Sequence, residues 1–229
     1  MKSLITAALC LAFAVSCVEA QKKTALSTQQ EKVSYLIGRN IGSNFKKQGI
    51  EINADIFLKG IKDGMAGKKN LLSEEESDSV MTAFQQEMQG KQQKEHDVLA
   101  QKNLKAGKAF LTANAKKDSV KTLASGLQYK VLVEGTGKNP TAGDTVVAHY
   151  RGMLIDGTEF DNSYKRGEPL TIPVTGVIKG WTEALQLMKV GSKWQLFIPS
   201  DLAYGEQGAG QVIGPNEALI FDIELIAIK

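Results

Sequence analysis

The sequence predicts an α+β protein. It begins with a helical N-terminal domain, continues through a long linker helix, and ends in a curved antiparallel sheet wrapped on one short helix. Three observations predict this. Apolar residues recur at helical spacing up to about residue 115. Alternating, β-branched and glycine-punctuated sequence follows. All 5 prolines lie from Pro140 onward. Helices segregated from strands point to separate domains. The expected divisions are a leader over 1–20, a helical domain over 25–72, a linker helix over 73–115 and the sheet domain over 120–229.

The leader comes first. Lys2 precedes an apolar run from Leu4 to Val15, then small residues and Val18-Glu19-Ala20, a plausible cleavage site. The run falls short of the roughly 20 residues that span a bilayer, so it reads as a secretory signal peptide. Both cysteines, Cys10 and Cys17, lie within it. Cleavage after Ala20 therefore leaves an exported chain stabilised without disulfides. Ala14-Val15-Ser16-Cys17 also resembles a bacterial lipobox, in which Cys17 is lipidated and becomes the first residue.

The helices follow in order. Val33, Ile37, Ile41 and Phe45 make one apolar stripe, and Gly49 ends that helix. Asn53 caps a second helix carrying Phe57, Ile61 and Met65, closed by Gly67. Ser73 with Glu76 reads as a capping box for a third helix running to about Ala113. That is a length of about 60 Å. Residues 90–97 are polar all round, as in a helix bridging domains through solvent. The two short helices have little within one chain to pack on, and a homodimer would complete their core.

The strands come next. Residues 127–133 alternate, as do 145–153, where Val146, Ala148 and Tyr150 share a face. Residues 193–199 put Trp194, Leu196 and Ile198 together, and 218–228 do the same for Phe221, Ile223 and Leu225. These are half-buried antiparallel strands. Trp181, Ala184, Leu185 and Met188 have helical spacing, giving the one helix on the sheet.

Composition excludes several functions. The chain is 42% hydrophobic and 23% charged with a net charge of +3, which is globular and too balanced for a nucleic-acid face. Only 2 histidines are present, so no His-rich metal site is expected. A Ser-His-Asp triad would need His96, in the solvated linker, or His149, outward-facing beside Tyr150. No G-x-S-x-G elbow, phosphate loop, dinucleotide fingerprint or H-E-x-x-H motif exists. The glycines at 205, 208 and 210 read as a flexible loop.

What stands out is aromatic. Tyr150, Phe160, Trp181, Tyr204 and Phe221 are spread through the strand half. Each alone could be plain core. Phe160-Asp161 follows an Asp156-Gly157 turn, however, and Tyr204 opens a loop, positions that often line pockets.

Four ordered segments carry a resemblance. Val147-Ala-His-Tyr-Arg-Gly-Met-Leu-Ile-Asp-Gly-Thr-Glu-Phe-Asp-Asn-Ser163 resembles the signature of FKBP-type peptidyl-prolyl isomerases. Val177-Ile-Lys-Gly-Trp-Thr-Glu-Ala-Leu185, Ile198-Pro-Ser-Asp-Leu-Ala-Tyr-Gly205 and Leu219-Ile-Phe-Asp-Ile-Glu-Leu225 resemble its later motifs. The helical half, with Gly38, Gly60, Asp63 and the helix leading into Ser125-Gly-Leu-Gln-Tyr-Lys130, is similar to the N-terminal domain of Mip-like bacterial isomerases. That group forms V-shaped homodimers.

The resemblance implies a prolyl isomerase acting on unfolded, proline-containing exported proteins in the periplasm or outer membrane of a Gram-negative bacterium. It implies no cofactor and no metal. Tyr150, Asp161 and Tyr204 are the implied catalytic residues. Phe160, Val177, Ile178, Trp181, Ile213 and Phe221 are the implied substrate-binding residues, Trp181 as the floor. Macrolide inhibitors are implied ligands. Three positions depart from the family pattern. Leu170 replaces a frequent aromatic, Ala209 replaces a loop histidine, and Ile213-Gly214-Pro215 replaces Ile-Pro-Pro. The first two are expected to loosen the pocket rim and the third to make the loop more flexible. The alternatives are a holdase-type chaperone using the fold as a binding module, and a dimeric surface adhesion or scaffold protein.

Overall fold

The computed structural model describes residues 26–229. The leader, Cys10 and Cys17 lie outside the described residues. Of the described residues, 26–73 form one compact unit, and Glu74–Lys229 form a second.

In the first unit, α1 spans Gln29–Gln48 and α2 spans Ala54–Met65. Thr28 and Glu31 close a capping box at the start of α1, and Gly49 takes the left-handed conformation at its end. The Asn53 side chain accepts the Asp55 and Ile56 amides, so it caps α2 as the sequence predicts. The cap at the far end is Ala66, with Gly67 just beyond it at φ 63°. Phe45 meets Phe57 edge-to-face at 5.6 Å, joining the two helices. Neither helix buries a residue fully, and Val33, Ile37, Ile56, Leu58 and Met65 remain exposed.

The second unit opens with α3, Glu74–Asn114, continuous through Gly90. Seven strands follow: β1 (Lys121–Thr122), β2 (Gln128–Val133), β3 (Thr145–Leu154), β4 (Glu159–Asn162), β5 (Leu170–Pro173), β6 (Lys193–Ile198) and β7 (Leu219–Ile228). The one-turn helix α4 (Ser163–Arg166) follows β4, and α5 (Lys179–Leu187) lies between β5 and β6. The strands pair antiparallel in the order β1-β2-β6-β7-β3-β4, and β5 also pairs with β3. The predicted inward faces are the observed ones. Val146, Ala148, Tyr150, Leu196, Ile198, Phe221, Ile223 and Leu225 are buried together with Trp181, Ala184, Leu185 and Met188 of the α5 region. The sheet's apolar face is thus covered by the apolar face of one helix.

The last third of α3 packs on the strands. Ala100, Asn103, Gly107 and Asn114 are buried, at the spacing of one helical face. Phe110 packs against Phe197 at 6.0 Å, Asn114 bonds Gln128, and Gln128 bonds the Leu111 carbonyl. His96 is not simply solvated. Its Nε2 lies 3.0 Å from the Glu206 carbonyl. Residues 91–95 are exposed, as expected for a polar stretch.

Candidate functional site

The antiparallel pairing of β3 with β4 and β7 delivers three aromatics to one end of the sheet. Tyr150 comes from β3, Phe160 and Asp161 from β4, and Phe221 from β7. The start of α5 adds Val177, Ile178 and Trp181, and the segment between β6 and β7 adds Tyr204. Together with Leu170, Ile172 and Gly176 these residues line a cavity of about 410 Å³. Of the nine residues implied by the sequence, eight stand around it.

Trp181 lines the cavity and is 3% exposed. Tyr150 and Phe221 meet its ring edge-on at 5.1 and 5.2 Å, and Phe160 meets Phe221 edge-on at 5.5 Å. Edge-to-face contacts of this kind fix ring orientations. Gly152 is what lets the two phenylalanines meet. A Cβ there would stand 2.6 Å from the Phe160 ring and 2.7 Å from the Phe221 ring.

The polar groups are few. The Tyr150 hydroxyl donates to Asp161 Oδ2 at 2.5 Å. Arg166 Nη2 donates to the same hydroxyl at 2.8 Å, and its Nη1 pairs with Asp161 Oδ1. The Asn162 amide donates to Asp161 as well, at 2.8 Å. Burial, and then the bond to the Asp161 carboxylate, raise the Tyr150 phenol above its ordinary range. Burial raises Tyr204 too, with the Asp161 charge adding to it. Both phenols therefore stay protonated at neutral pH. Among the described residues no side chain bonds the Tyr204 hydroxyl, and the Ile178 N–H donates to no other group. The Trp181 indole N–H is buried without a partner.

Arg166 escaped the sequence reading. The signal was present in the caps. Asn162 and the left-handed Gly167 bracket one helical turn, which folds Arg166 back over Asp161. Ile213 is not among the residues that line the cavity. It closes a bridge with Ala209 through bonds of 2.8 and 3.2 Å, and its side chain belongs to the buried core. Ala209 packs against that core too, away from the cavity lining. Leu170 does line the cavity. His149 bonds Ser163 and stacks on Tyr164 at 4.3 Å, on the sheet's other side from the buried Tyr150 ring.

An open, largely apolar pocket with a protonated phenol pair and one carboxylate paired to an arginine suits the binding of a proline ring with its flanking amide. Comparison with known proteins identifies the class. Residues 136–226 match the model of the FKBP-type peptidyl-prolyl cis-trans isomerases. Residues 30–131 match the domain amino terminal to such isomerases. The chain belongs to the FKBP-type peptidyl-prolyl cis-trans isomerase family.

Particular relatives match almost end to end. The chain is 48% identical over 226 residues to the outer membrane protein MIP of Legionella longbeachae, covering 99% of this chain and 97% of that protein. It is 47% identical over 210 residues to the peptidyl-prolyl cis-trans isomerase Mip of Coxiella burnetii, covering 92% and 91%. The crystal structure of FkpA from Escherichia coli superposes with a TM-score of 0.71 at 40% identity, covering 90% of this chain and 99% of that one. This chain is a peptidyl-prolyl cis-trans isomerase of the Mip-like group.

Proposed function

We propose that catalysis takes place in the cavity floored by Trp181, on X-Pro bonds of unfolded exported proteins. The observation that carries this reading is the convergence of five aromatic rings on one cavity, with the Tyr150–Asp161–Arg166 network beside them. An X-Pro bond turns slowly because amide resonance resists the twist. No bond is made or broken, so the site needs no nucleophile. A twisted amide has lost its charge separation, and an apolar cavity favours it over the planar form. In this reading Trp181 and Phe221 hold the proline ring. The Ile178 N–H and the Tyr204 hydroxyl, which find no partner among the described residues, hold the peptide carbonyls. Asp161 and Tyr150 face the turning bond. Leu170, in the lining, sets substrate preference and macrolide affinity.

The remaining organisation follows from the uncovered helices. The exposed apolar faces of α1 and α2 support a homodimer through residues 25–72, with α3 joining them to the isomerase domain at 120–229. Two pockets on one dimer raise the effective concentration of sites along a client chain. The leader supports export to the periplasm or outer membrane of a Gram-negative bacterium, with Cys17 as a lipid anchor point. Among the described residues no helix is long and apolar enough to cross a membrane.

Refolding of a proline-limited client separates this function from a holdase. The expected result is faster refolding by the full chain and no acceleration by folded Trp181→Phe/Asp161→Leu. Equal acceleration by that variant would move the function to the helical surfaces.

A further inference from the structure

Helix α3 carries a stripe that faces the sheet unit: His96, Ala100, Asn103, Gly107 and Asn114. Two of its polar members hold backbone carbonyls of the segment between β6 and β7. Asn103 Nδ2 donates to the Pro215 carbonyl at 2.9 Å in a buried bond. His96 Nε2 donates to the Glu206 carbonyl at 3.0 Å. A carbonyl only accepts, so the proton sits on Nε2. These two anchors flank the base of the loop, where the Asn216 amide donates to the Gly205 carbonyl at 2.8 Å. Tyr204 is the residue next to that base.

The loop itself is a closed hairpin. Ala209 and Ile213 exchange backbone bonds, and Gly208 sits at φ 63° where a Cβ would lie 2.2 Å from the Ile213 carbonyl oxygen. Glycine is required there. Gly214 has a different reason. A Cβ on it would stand 3.1 Å from Asn103 Nδ2. The glycine in Ile213-Gly214-Pro215 is therefore the clearance through which the α3 amide reaches Pro215, where the sequence reading took it as a source of slack.

We propose that Asn103 is a positioning residue of the isomerase site: from α3 it fixes the hairpin so that Tyr204 stands at the cavity rim. His96 holds the hairpin's other side. Helix α3 is then part of the catalytic unit. This rests on Tyr204 belonging to the substrate-binding rim.

The test uses the mature chain, residues 21–229, and a proline tetrapeptide followed by NMR exchange. Asn103→Leu removes the donor while keeping the same branched four-atom side chain. Gly214→Ala keeps the donor and blocks its approach. A hairpin released part of the time lowers the binding-competent fraction, so KM rises while kcat holds. Losing one buried hydrogen bond corresponds to about a threefold to tenfold rise in KM. Both variants are expected to show it, and the double variant is expected to be no worse than either. Amide exchange at Ala209, Ile213 and Asn216 is expected to quicken, while Val146 and Ile223 in the core keep their protection. An unchanged KM in Asn103→Leu overturns the proposal. So does quickened exchange throughout the sheet, which would make Asn103 a general stability residue. Tyr204→Phe run in parallel separates the two readings. A wild-type KM there with a raised KM in Asn103→Leu removes the phenol from the site and leaves the hold of α3 on the hairpin standing.

Discussion

Arg166 Nη2 donates to the Tyr150 hydroxyl at 2.8 Å, and the guanidinium carbon lies 5.2 Å from the Tyr150 ring centre. The same guanidinium pairs with Asp161, the one carboxylate in the cavity lining. Arg166→Leu removes the contact that holds both groups. Because the ion pair is about two-fifths exposed, solvent screening limits its worth. The expected loss in kcat/KM is about twofold to tenfold, with the melting temperature nearly unchanged. Tetrapeptide kinetics and a thermal melt check both parts.

Trp181 is buried, but its indole N–H has no partner. An aromatic replacement therefore sacrifices contact area without breaking a hydrogen bond. Trp181→Phe is expected to fold and to bind substrate more weakly. Trp181→Ala is expected to cost about 3–5 kcal/mol of stability by opening a cavity. Urea unfolding of the two variants, set beside their KM values, reads both effects.

Gly152→Ala tests how closely the aromatic walls are fitted. Its Cβ would collide with Phe160 and Phe221 together. Overpacking of this kind costs about 1–3 kcal/mol. The variant is expected to lose stability and to lose activity further, because both rings line the site. A variant of wild-type stability and rate would show that the walls move freely.

The alkaline limit of stability should follow the tyrosines. Burial, and then the bond to Glu224, push Tyr164 up to about 12. Tyr150 and Tyr204 are raised as well. The folded chain then binds more protons than the unfolded chain once pH passes the ordinary phenol value of about 10. Stability is full below that value and falls as pH rises from about 10 towards 12. Isomerase activity is expected to be level between about pH 6 and 9, since neither cavity phenol loses its proton there. Denaturant melts across this range, with rates at each pH, give the comparison.

The helical unit makes its own prediction. Ile37 is 55% exposed on α1, and Ile56 and Met65 of α2 are exposed too. If the proposed homodimer forms through these faces, Ile37→Glu converts it to a monomer on sedimentation while leaving tetrapeptide kcat/KM unchanged. Client refolding is expected to slow, because paired pockets are lost.

How far the sequence could be read depended on the range of each interaction. Val146, Ala148 and Tyr150 were legible because one buried face imposes a period of two on a long strand. The strands β4 and β5 are four residues each, too short to show a period. The cavity aromatics were legible through motif resemblance, since each alone is also ordinary core. Arg166 was hidden because it reaches Asp161 by one turn of chain and not by any spacing of like residues. His96 looked solvated because its partner is the backbone of Glu206, 110 positions away, and a carbonyl leaves no trace in residue type. Ile213 is harder to place from sequence for the same reason: its bridge to Ala209 is a backbone feature.

The most direct test of the central claim is NMR exchange on Ala-Leu-Pro-Phe with residues 21–229, Asp161→Leu and Trp181→Ala, each shown to be folded. Strong acceleration by the unaltered chain is expected, and its loss in both variants. Acceleration by folded Asp161→Leu and Trp181→Ala at the wild-type rate would contradict it and place catalysis outside the Trp181 cavity.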